Sequence, residues 1–186
     1  MLVLDMQTAK PEWGDALELP KRKNIRLKDY DYSSNGAYFI TICTQNRLHL
    51  FGNVVGDEFP VPFVELNGFG KIIEQYIQNI SDKYPVVTVD KYIIMPNHVH
   101  MLIMIFNDGT MGNNRTGNPS PTAVGTIVGW FKYQTTKAIN AHTNNAETKI
   151  WQRSYHDHII RNGEDYLRIW QYIDENPAKW AEDEYY

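Results

Sequence analysis

The sequence predicts an α+β domain built on a split β-α-β unit, and three observations predict it. The elements follow the order strand, helix, strand, strand, helix, strand, helix; the strands are rich in β-branched and aromatic residues; and the helices space their apolar residues three and four apart. That order is the ferredoxin-like (RRM-like) sandwich, an antiparallel sheet with helices on one face, here with one extra C-terminal helix. A length of 186 residues with 42% hydrophobic content suits one core. The fold hosts many unrelated activities and carries no function by itself.

Each element has its own signature. Residues 1–20 lack a period and are broken by Pro11 and Pro20, the pattern of a tail; the domain is expected over 21–180, with an acidic tail over 181–186. After Asn35-Gly36, the run Tyr38 to Thr44 reads as a strand, with Cys43 as a small buried hydrophobe. Leu66, Phe69, Ile72, Ile73, Tyr76, Ile77 and Ile80 predict a first helix from Val64 to Ile80. Two strands follow, Val86 to Met95 and His98 to Ile105, joined at Pro96-Asn97; the second is apolar on both faces, as a central strand should be. Residues 107–121 carry three Gly, four Asn and two Pro and read as a connection. A second helix over 123–141, a strand over 150–160 and a closing helix over 163–176 complete the order, with Pro177 ending the last helix.

Composition excludes several classes. With 18 Lys plus Arg against 22 Asp plus Glu, the net charge of −4 does not suit a protein that coats nucleic acid through bulk charge. A single cysteine forms no internal disulfide and no four-cysteine zinc site, so a reducing cytoplasm is expected. No run of eighteen apolar residues occurs, and Met1 to Leu4 is too short for a signal h-region, so neither a membrane span nor secretion is expected. Charge is nevertheless segregated. Lys21, Arg22, Lys23, Arg26 and Lys28 form an acid-free patch near Tyr30, Tyr32 and Tyr38, a combination able to follow a phosphate backbone and stack bases, although a lysine-rich solvated face has the same composition.

Chemistry enters with His98-Val99-His100. Residues two apart on a strand share a face, so the two imidazoles stand side by side at about 6 to 7 Å in backbone terms and can hold one metal ion if a third ligand is found. On the closing helix Tyr166, Ile169, Trp170 and Ile173 form the apolar stripe, with Tyr172 and Asn176 one turn apart on its flank. An amide oxygen from Asn176 would complete a mixed nitrogen and oxygen set compatible with Mg²⁺ or Mn²⁺. A phenol with a pKa near 10 attacks poorly without help, and a dication can polarise a phosphodiester beside it. Two other readings remain open from the residues. One is a single-strand nucleic-acid module that cuts nothing; the other is a zinc hydrolase in which His158 joins the pair.

Three ordered segments carry a resemblance: Tyr92 to Ile103, with Met95-Pro96-Asn97-His98-Val99-His100; Trp151 to His158; and Tyr172 to Lys179. They closely resemble the single-tyrosine HUH transposases of the insertion-sequence 200-like family, and within it the REP-associated tyrosine transposase branch. The similarity runs from about Lys21 to Lys179 and includes Tyr38 to Thr41. The resemblance implies a divalent-metal-dependent strand transferase acting on single-stranded or hairpin DNA. It implies His98 and His100 as metal ligands, Tyr172 as the nucleophile and Asn176 as the residue completing the metal site, where insertion-sequence relatives often have Gln. Lys21, Arg22, Lys23, Arg26 and Arg153 are the expected DNA contacts. His156 and His158 match a framework segment and stay outside the metal set.

Overall fold

The structure, a computed structural model, describes residues 31–56, 61–106, 123–143 and 148–182. The expected tail over 1–20 and the basic segment over 21–28 lie outside the described residues, as does 107–121. Strand β1 (Gly36–Cys43) is followed by a short hairpin, β2 (Gly52–Val55) and β3 (Phe63–Leu66). Helix α1 (Gly68–Lys83), strands β4 (Val87–Met95) and β5 (His98–Ile105), helix α2 (Val124–Thr143), strand β6 (His156–Ile160) and helix α3 (Gly163–Glu175) complete the described elements, with 3₁₀ turns at Gln45–Arg47 and Pro177–Glu182.

The main sheet is antiparallel in the order β4-β5-β1-β6. Strand β5 lies inside it and is buried on both faces except at Met104, which is why its sequence is apolar at almost every position. Alternation sorts the rest. Tyr38, Ile40, Ile42, Val99, Met101 and Ile103 point to a core shared with α1 and α2, where Ile73, Ile77, Ile127 and Phe131 meet them. Phe39, Ile93 and Leu102 point the other way and pack against Ile169 and Ile173 of α3. The sheet is therefore covered on both faces, and α3 alone of the three helices covers the face that carries His98 and His100.

Strand β4 must change phase to serve both cores. The register against β5 shifts between Val89 and Lys91, so Asp90 is an extra residue and the inward positions pass from Val87 and Val89 to Tyr92 and Ile94. That bulge also anchors α3. The Tyr166 hydroxyl donates to Asp90 Oδ2, Lys91 pairs with Asp174, and the Lys91 ammonium lies 4.6 Å from the centre of the Trp170 ring. At the start of the helix, Asn162 Oδ1 accepts from Asp165 N at 2.8 Å as the N-cap.

Two boundaries differ from the sequence reading. Val64, Glu65 and Leu66, expected in the first helix, belong to β3, because the helix begins only after Asn67, whose Oδ1 accepts from Phe69 N and Gly70 N at 2.9 and 3.0 Å. Of the strand expected over 150–160, only His156–Ile160 pairs continuously with β1; Trp151 makes one isolated bridge to Thr44 and turns its ring into the core against Phe51 and Phe131. Cys43 is buried, as expected. Among the described residues, no helix is long and apolar enough to cross a membrane.

Candidate active site

The turn Pro96-Asn97 joins β4 to β5 and starts the row of side chains that faces α3. Proline presets the first turn position, and the two residues hand the chain directly into His98. The same hairpin register sets Met95 against His98 and Ile93 against His100. On the other side β1 sets Cys43 against His98 and Thr41 against His100. His98 and His100 are both fully buried, with ring centres 4.4 Å apart.

Each imidazole is held through Nδ1. Asn97 Oδ1 lies 2.8 Å from His98 Nδ1, and an amide oxygen can only accept, so Nδ1 carries the hydrogen and Nε2 keeps the lone pair. Thr41 Oγ1 lies 2.9 Å from His100 Nδ1 and can serve in the same way. Burial pushes the His98 pKa down to about 3, aided by the Arg47 charge and opposed by a hydrogen bond with Asn176. Burial, then the neighbouring His98, holds His100 well below the ordinary histidine value. Both rings are neutral at physiological pH, the form that binds metals.

Helix α3 delivers the remaining groups. Ile169 and Ile173 seat it on the sheet, and Tyr172 and Asn176 follow on the flank nearest the histidines. Tyr172 Oη is 3.4 Å from His100 Nε2, and the Tyr172 ring meets Phe39 edge-on at 5.9 Å, so the phenol is held between sheet and helix. Asn176 is the C-cap residue and is buried with its amide against His98.

The structure thus brings together four of the residues singled out from the sequence: His98, His100, Tyr172 and Asn176. Two imidazole nitrogens and an amide oxygen form a donor set that fits a hard or borderline dication such as Mg²⁺ or Mn²⁺, with water or substrate oxygens for the remaining positions. Among the described residues no group of three or more His, Cys, Asp or Glu side chains is placed to hold a metal, so the all-histidine zinc set has no counterpart. His158 instead bonds Asp165 at 2.7 Å. Arg153 is exposed and lines a separate concavity of about 520 Å³ with Lys132, Lys137, Lys149 and Tyr133. Lys21, Arg22, Lys23 and Arg26 lie outside the described residues. Sequence reasoning missed Asn97 and Thr41 as groups that orient the histidines, although Asn97 stands beside the motif and could have been weighed as a hydrogen-bond acceptor.

No family model matches the chain. It is 37% identical over 174 residues to an uncharacterized protein of Haemophilus influenzae, covering 89% of this chain and 93% of that protein. A second protein of that bacterium, provisionally named a REP-associated tyrosine transposase, is 25% identical over 154 residues, covering 80% of this chain and 74% of its own length. The solved structure of a REP-associated tyrosine transposase bound to a REP hairpin is similar with a TM-score of 0.57, at 19% identity, over 83% of this chain and 74% of that one, a likeness of fold.

An antiparallel sheet carrying a histidine pair, met by a helix carrying a tyrosine, is the arrangement that the resemblance to the single-tyrosine HUH transposases implies. The chain shares a family with the 37% identical Haemophilus influenzae protein. By its three ordered motifs it resembles the REP-associated tyrosine transposases, the name carried by the 25% identical relative.

Proposed function

We propose that the protein is a metal-dependent endonuclease and strand transferase that cuts and rejoins single-stranded DNA, at hairpin-forming repeats, through a 5′-phosphotyrosine intermediate. The observation that carries this reading is the convergence of Tyr172, His98, His100 and Asn176 on one side of the sheet. The strand order β4-β5-β1-β6, with α1 between β1 and β4 and α2 between β5 and β6, supports the ferredoxin-like (RRM-like) split β-α-β reading of the scaffold.

Tyr172 is the nucleophile. Its Oη bonds to a backbone phosphorus as the bond from phosphorus to the 3′-oxygen breaks; the phenol loses its proton and the departing 3′-oxygen gains one. The phosphoester linkage is conserved in the tyrosyl ester, so a second 3′-hydroxyl can reverse the step without ATP. His98, His100 and Asn176 would hold the cation, which when bound supplies Lewis acidity to a phosphate oxygen. Phe39 supports the Tyr172 ring, and Asn97 and Thr41 fix the imidazoles. The arrangement holds the reacting groups in advance, so little ordering is needed when DNA arrives. Arg153, with Lys21, Arg22, Lys23 and Arg26, would contact the phosphate backbone outside the reacting position.

The test is incubation with hairpin oligonucleotides and Mn²⁺, followed by denaturing electrophoresis. A DNA adduct that survives denaturation in the wild type and is absent from Tyr172→Phe is expected. Release of a free 5′-phosphate with no DNA left on the protein would assign the cut to activated water and remove Tyr172 from its role.

A further inference from the structure

The segment from Thr44 to Phe51 leaves β1 and returns to the turn that precedes His98. Thr44 N donates to Asn97 O at 2.8 Å, and Leu50 N and Phe51 N donate to Pro96 O at 2.8 and 3.1 Å, so both ends are clamped to that turn. Thr44 Oγ1 also donates to Leu48 O at 2.8 Å, closing the loop upon itself. Gly70 lets this segment pack close, since a Cβ there would collide with the Phe51 carbonyl oxygen. At its tip Asn46 and Arg47 have φ of 56° and 55°, two successive side-chain-bearing residues in the left-handed region. Such backbone persists only where its surroundings impose it, and it is concentrated at functional sites.

The loop presents Arg47 and His49 at the surface. From the opposite side, the 3₁₀ turn after α3 brings up Trp180, half-buried, with its ring centre 5.5 Å from that of His49 and 6.0 Å from that of His98. The Trp180 and His98 planes lie within 34° of one another. Arg47, two residues before His49 on the same loop, is exposed, and its charge helps hold the His98 pKa down. An indole and an imidazole thus stand beside the histidine pair, supplied by two chain segments, with the exposed Arg47 on the loop that carries the imidazole.

We propose that this rim is a nucleotide subsite, in which Trp180 stacks one base, His49, tilted 58° to the indole, borders that base, and Arg47 takes a phosphate oxygen of the same strand, next to the phosphate attacked by Tyr172. Every base has a π-face, so the subsite adds affinity and alignment without reading sequence. It holds the strand on the His98 side while α3 holds the phenol on the His100 side, and the reacting phosphate lies between. The proposal rests on the DNA-cleavage reading above.

The test uses a fluorescent hairpin oligonucleotide with single-stranded flanks, bound to the full chain in EDTA so that binding is read without cutting. An abasic nucleotide replaces each flank position in turn. Wild-type affinity should fall about tenfold at one position, and Trp180→Ala should abolish that difference while Trp180→Phe keeps most of it. Arg47→Gln should reduce the salt dependence of binding by about one phosphate contact. The subsite is overturned if the wild type is indifferent to abasic sites everywhere, or if Trp180→Ala weakens every oligonucleotide equally. Adduct formation with Mn²⁺, assayed in parallel, separates the two readings. An adduct without abasic discrimination removes the subsite alone, and discrimination without an adduct removes the cleavage mechanism alone.

Discussion

Tyr172 Oη stands 3.4 Å from His100 Nε2, at the outer edge of hydrogen-bond distance, with the ring centres 5.3 Å apart. That nitrogen is also the lone pair a dication would use. A cation bound there would therefore neighbour the phenol, and the weak contact between the hydroxyl and that nitrogen would be given up on metal binding. Tyr172→Phe keeps the ring that packs on Phe39 and removes only the hydroxyl. It should abolish the covalent DNA adduct while leaving Mn²⁺ affinity undiminished, measured by titration calorimetry on the same preparation. A fall in metal affinity that matched the loss of adduct would make the tyrosine a ligand instead.

Asn97 is a positioning residue for His98. Its Oδ1, 2.8 Å from Nδ1, selects the tautomer with a lone pair on Nε2. Asn97→Ala should weaken Mn²⁺ binding by about 10- to 100-fold, and Asn97→Asp, which still accepts the hydrogen, should retain most of it. Nitrogen-15 spectra of the metal-free protein give a second readout, since His98 should change from one tautomer to a mixture in Asn97→Ala. An unchanged spectrum would deny Asn97 this role. Removal of the proposed third ligand in Asn176→Ala should weaken metal binding without moving the tautomer.

The site was legible in the sequence where it follows from periodicity. His98 and His100 share a strand face, and Ile169 and Ile173 fix which side of α3 meets the sheet, so the positions of Tyr172 and Asn176 follow. What stayed hidden depends on register and backbone conformation. Thr41 meets His100 only because β1 pairs with β5 in one register, between residues 59 apart in the chain. The bulge at Asp90 is a single added residue with no compositional mark, yet it turns β4 so that both cores are served. The β2-β3 hairpin has four-residue strands, too short for a clear alternation, and Gly52 at φ 152° starts it where a Cβ would strike the Glu65 carbonyl. Arg153 is singled out by the segment Trp151 to His158 that carries the resemblance, but a motif does not say which face a residue joins, and it lines the α2 cleft.

Helix α3 is held by few apolar contacts, and its docking should control the site. Ile173 is fully buried against Leu102, so Ile173→Ala should cost about 2–5 kcal/mol of stability, read from the urea midpoint. Tyr166→Phe removes the hydroxyl that reaches Asp90 while keeping the ring, and should cost roughly 0.5–1.5 kcal/mol. Both changes should reduce adduct formation in proportion to the loosening of α3, detected as faster amide exchange in that helix. Activity lost with unchanged exchange in α3 would show that the helix is not what places the phenol.

The buried histidines make the metal-free protein sensitive to mild acid. His98 titrates near 3 when folded and near 6.5 when unfolded, and His100 is shifted in the same direction. Above about pH 6.5 both states are neutral and the pair contributes nothing to pH dependence. Below it the unfolded chain takes up protons that the folded chain cannot, so stability falls by about 1.4 kcal/mol per pH unit for His98 alone until pH approaches the folded value. The carboxylates whose pKa is held below normal, Asp31, Asp165 and Glu175, lose their contributions only in more acid solution, which leaves the interval between about pH 6.5 and 5 to the histidines. Urea unfolding in EDTA across that interval should show the loss, and His98→Gln should flatten the slope whatever its effect on absolute stability. Saturating Mn²⁺ at neutral pH should raise the midpoint, and that gain should fade as acid protonates the ligands. A wild-type slope equal to that of His98→Gln would mean that His98 is not buried in neutral form.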